Sequence, residues 1–68
     1  MKYLQQVNEL ALQYVEQDIS IDKYSDATYE LAMDYIHKGR LYKNSLFNLG
    51  IVAGQAWCMA QNHKRFGV

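Results

Sequence analysis

Few side chains in this sequence are of types that do covalent chemistry, and their spacing argues against most of it. Cys58 is followed five positions later by His63. Five residues along a helix leave two side chains about 140° apart, so thiol and imidazole diverge and no nucleophile–base pair forms. The lone cysteine reads as a small buried hydrophobe. With no second cysteine there is no internal disulfide, two-cysteine zinc knuckle or redox pair, which fits a reducing, cytoplasmic setting. Asp34 and His37 make a single D-x-x-H. Di-iron bundles need two such pairs and two further carboxylates, all turned inward, whereas this pair falls on an outward face. No Gly-rich phosphate loop, GxSxG or HExxH occurs. The expectation is a chain that is not an enzyme and holds no metal or other cofactor.

Charge is the stronger signal. Seven basic residues cancel seven acidic ones, yet the two signs are segregated. Residues 1–35 hold all seven acids and only Lys2 and Lys23 as bases, a net −5. Residues 36–68 hold five bases and no acid, a net +5. Asp26, Glu30 and Asp34 stand at i, i+4 and i+8, a like-charged row that costs a few tenths of a kcal/mol per pair. Such a row is either a solvated face or a rim that steers a basic partner. Lys2, Lys38, Arg40 and Lys43 form the other cluster. If two helix N-termini and the chain amine point the same way, that end becomes a candidate anion-binding surface.

Three helices are predicted to position these residues. The first, over about 2–17, puts Tyr3, Val7, Leu10 and Tyr14 on one line with Leu4, Ala11 and Val15 beside it. Leu12 falls off that stripe and should be exposed. The second runs from about 25 to 38, with Ser25 as its best N-cap, Tyr24 and Tyr29 as a hydrophobic staple, and Gly39 as a left-handed C′ residue. Starts nearer Ser20 or Asp22 stay open. Its core stripe is Thr28, Leu31, Ala32 and Tyr35, with Tyr29, Met33 and Ile36 as a second apolar ridge. The third, over about 45–64, has no charge from 46 to 60 and is apolar nearly all round, the mark of a central element. Gly50 and Gly54 each cost up to about 1 kcal/mol relative to alanine, and close packing is the expected compensation. Short links imply antiparallel neighbours. The fold class is all-α, a small three-helix bundle formed by residues 1–68 as one helical domain.

Shape then bears on function. The longest apolar stretch, 46–60, is shorter than the roughly 20 residues of a membrane span, and no signal peptide opens the sequence. Helix 3 carries more apolar perimeter than two neighbours can cover. Tyr29, Met33 and Ile36 on helix 2 join Val52 and Met59 on helix 3 as a partner-binding surface, with Asp26, Glu30 and Asp34 as its acidic rim. Of the six tyrosines, Tyr3, Tyr14 and Tyr35 are expected in the core and Tyr29 and Tyr42 as interface anchors. This predicts a non-enzymatic protein-interaction module, either a homodimer or a regulator that occludes or scaffolds another protein. The genre it suggests is a phage or mobile-element inhibitor of host machinery. A nucleic-acid regulator using Lys2, Lys38, Arg40 and Lys43 is the alternative, and a purely structural homo-oligomer is a third. A recognition helix must offer polar and basic groups to base edges, and helix 3 offers none from 46 to 60.

Overall fold

The computed structural model describes residues 2–67. Its elements are α1 (Lys2–Glu16), α2 (Ile21–His37) and α3 (Leu46–Phe66), with a single 3-10 turn at Lys43–Ser45 leading into α3. The architecture is the all-α three-helix bundle that the periodicity predicts.

Each helix end has a local cause. Asp18 sits in the left-handed region at φ 57°. Its N–H donates to the Val15 carbonyl and the Ile19 N–H donates to the Tyr14 carbonyl, the paired bonds of a Schellman motif. Gly39, at φ 71°, ends α2 in the same way, with bonds from Gly39 N–H to Ile36 and from Arg40 N–H to Tyr35. The start of α2 differs from expectation. Ser20 is its N-cap, accepting from the Lys23 N–H at 3.4 Å, so Ser25 lies inside the helix. Tyr24 consequently leaves the staple position and enters the core at 1% exposure. Both serines are good caps; the burial of Tyr24 decides between them.

The helices alternate in direction. Tyr35 near the end of α2 meets the start of α1, its hydroxyl donating to Gln6 Oε1 at 2.8 Å and its ring standing edge-on to Tyr3. Lys64 near the end of α3 donates to the Val15 carbonyl near the end of α1 at 2.9 Å. Thus α1 and α3 run parallel, and α2 returns between their opposite ends. The core is Tyr3, Val7, Ala11 and Val15 from α1, Tyr24, Thr28, Ala32 and Tyr35 from α2, and Leu49, Ala53, Ala56, Trp57 and Ala60 from α3. Leu10, Tyr14 and Leu31, predicted as core, are half-buried at its margin. Leu12 is exposed as expected.

Candidate functional site

α3 rests more fully on α1 than on α2. Alanines Ala53, Ala56 and Ala60 on α3 and Ala11 on α1 let the first pair close up, whereas Tyr24 and Trp57 fill the space between the second pair, their rings 4.7 Å apart. A cleft of about 200 Å³ remains along the α2–α3 seam. Ala32, Thr28, Ala53 and Trp57 form its floor, with Ile21, Ser25 and Tyr29 on the α2 side and Leu46, Gly50 and Gly54 on the α3 side. Through Ile21, Gly54 and Trp57 it runs on into a shallower groove bounded by Ile51, Gln55, Cys58 and Met59.

The glycines here reverse the expected packing. A Cβ built at Gly50 or at Gly54 meets no heavy atom within 4 Å. Neither glycine is packed against a neighbouring helix; together they form an open lane one turn apart. Beyond that lane stand Phe47 and Ile51, 79% and 46% exposed, and across it Tyr29, 58% exposed. Cys58 is exposed as well, which corrects its reading as a buried hydrophobe: it lies on the same outward flank of α3 as Gly54, one turn on. The pattern that would have revealed this flank is Phe47, Ile51, Gly54 and Cys58 at spacings of four, three and four. Phe47, Ile51 and Ile21 carry no role in the sequence pattern, and Ser25, expected as a helix cap, stands in the cleft wall instead.

The residues expected to form one partner surface are divided. Stepping about 100° per residue, Tyr29, Met33 and Ile36 lie on the cleft side of α2, with Met33 and Ile36 half-buried. Val52 and Met59 lie on the outer line of α3 with Asn48, Gln55 and Asn62. Val52 is half-buried and Met59 is 71% exposed, reaching only the shallow groove. The acidic row divides too, because an i, i+4 row drifts about 40° per step. Asp22 and Asp26 follow Tyr29 around the rim of α2, about 20° and 60° farther from the floor, whereas Glu30, about 100° beyond Tyr29, faces outward. Asp34 turns toward the α1 side, where its carboxylate lies 3.0 Å from Lys38 Nζ.

The two charged ends follow the topology. Lys2, Lys38, Arg40 and Lys43 gather where α1 begins, α2 ends and α3 is about to start; the chain amine lies outside the described residues. Tyr42 is exposed at that end. At the other end Lys64 Nζ is 2.6 Å from Asp18 Oδ1, so its ammonium also serves the negative pole of α1. His37 and Asp34 are both exposed. Among the described residues, no three His, Cys, Asp or Glu side chains come together as a metal site would require. Nor is any helix long and apolar enough to cross a membrane.

Burial perturbs two tyrosine hydroxyls. Burial pushes the Tyr24 hydroxyl up to about 12, with the neighbouring Tyr3 adding in the same sense. Burial raises Tyr3 as well. Both rings are structural parts of the floor and are held neutral.

No protein-family model, curated protein or solved structure matches this chain.

Proposed function

We propose that this chain is a non-enzymatic protein-interaction module that binds a partner protein over the α2–α3 face and acts by occluding or scaffolding it. The observation that carries the reading is the uncovered apolar cleft bordered by Tyr29, Phe47 and Ile51. Large apolar side chains grouped around a groove on so small a protein are the usual mark of an interaction site. Partner capture tests it, comparing the intact chain with a Tyr29→Asp/Ile51→Asp variant. Both positions are exposed, so the variant should keep its fold by circular dichroism. Retrieval of the same proteins by both versions would remove the face from consideration.

The second reading is contact with nucleic acid through Lys2, Lys38, Arg40 and Lys43, favoured by their convergence at one end of the bundle. Phosphate contacts give an affinity that falls as a power of salt concentration. Arg40→Glu/Lys43→Glu should then abolish retention on DNA or RNA, and unchanged retention would eliminate this reading.

A further inference from the structure

The uncovered cleft, its two walls and the charge around it together specify what fits there. From Leu46 to Trp57 it spans about 17 Å of helix axis at 1.5 Å per residue, about three turns. The open lane at Gly50 and Gly54 lets another backbone approach closely, and the floor offers no strand edge to extend. A packed helix is therefore the natural occupant. The walls differ in charge. α3 has none from 46 to 62, whereas the α2 wall is flanked by Asp22 and Asp26.

We infer that the cleft takes a basic amphipathic helix of a partner protein, its apolar face laid over Gly50 and Gly54 and its Lys/Arg flank set against Asp22 and Asp26. This rests on the interaction reading above and adds the chemistry of the partner. A second copy of the chain supplies no such helix. The outward face of α1 carries one base, Lys2, against Glu9 and Glu16; α2 is acidic; α3 has no base before His63. The partner's cations would meet the acidic rim in complementary register, which favours rapid encounter and the correct orientation.

The only tryptophan of the chain, Trp57, lines the cleft and is 9% exposed, so its emission reports occupancy. The probes are two Trp-free helical peptides of about four turns, identical in a Leu/Ala face and carrying either Lys/Arg or Glu flanks. The basic peptide should shift Trp57 emission saturably and bind at least about tenfold more tightly than the acidic one, the preference shrinking as salt rises. Asp22→Lys/Asp26→Lys should reverse the order. Gly54→Leu should block both peptides while melting no lower than the parent, since leucine favours the helix over glycine and meets open space. Equal binding of the two peptides, binding by neither, or binding that survives Gly54→Leu overturns the inference. So does a dimer in sedimentation that Gly54→Leu dissociates, because the occupant is then a second copy. Captured partners that depend on Tyr29 and Ile51, beside peptides that fail, would overturn the basic helix alone and leave the interaction reading standing.

Discussion

The hydroxyl of Tyr24 donates to the carbonyl oxygen of Ala53 at 2.8 Å, and this bond ties the first turn of α2 to the middle of α3 beneath the cleft. Tyr24 also touches Trp57 and stands edge-on to Tyr14. One side chain thus bridges all three helices. Tyr24→Phe keeps the ring contacts and removes the bond. It should lower the unfolding free energy in urea by about 0.5–1.5 kcal/mol, the usual net value of such a bond. An unchanged midpoint would mean that Ala53 is satisfied without Tyr24.

The raised pKa of Tyr24 makes stability depend on alkaline pH. An unfolded tyrosine ionises near pH 10, whereas Tyr24 in the bundle does so at about 12. Below pH 10 the proton is bound in both states and the full contribution is present. Between 10 and 12 the unfolded chain gives up its proton more readily, so stability falls as pH rises. Tyr3 acts in the same direction. Melting temperatures measured across this range should decline, and Tyr24→Phe should decline less steeply. Equal slopes in the two proteins would contradict the assignment.

Gly50→Ala and Gly54→Ala should each stabilise the protein by about 0.5–1 kcal/mol. Both lie in α3 with open space where a Cβ would sit, so the helical preference of alanine is gained without a clash. Thermal melts decide this. A loss of stability at either site would mean that a neighbour approaches more closely than the structure shows.

Asp18 combines a left-handed backbone with an ion pair. Asp18→Ala loses the pair and leaves a side chain poorly suited to φ 57°, so a loss of about 1–2 kcal/mol is expected. Asp18→Gly loses the same pair but relieves the backbone, and should stay within about 0.5 kcal/mol of the parent. If the two variants melt alike, backbone conformation is not what this position selects.

The fold was legible in the sequence because α1 and α2 bury single stripes. Tyr3, Val7, Ala11 and Val15 follow each other at intervals of four, and Gly39 marks its own turn. The start of α2 was not legible, since local pattern favours Ser25 as the cap and a long-range contact of Tyr24 selects Ser20. The Asp18 turn was missed because aspartate takes the left-handed conformation less often than glycine and leaves no pattern. The site was half legible. Surplus apolar perimeter on α3 was evident, but its direction was not: with apolar residues nearly all round, periodicity cannot say which flank α2 leaves bare. Val52 and Met59 were therefore grouped with Tyr29, Met33 and Ile36, while Phe47, Ile51 and the open side of Gly54 went unnoticed.

The alanines of the core have a consequence of their own. Ala11, Ala53, Ala56 and Ala60 are all at most 6% exposed, and they form a narrow waist where α1 meets α3, with Trp57 interleaved between Ala56 and Ala60 on the side that faces Tyr24. A bulkier residue at the waist has nowhere to relax, because side chains this short have no rotamers to yield. Valine at Ala11 would wedge α1 off α3 at a cost of roughly 1–3 kcal/mol.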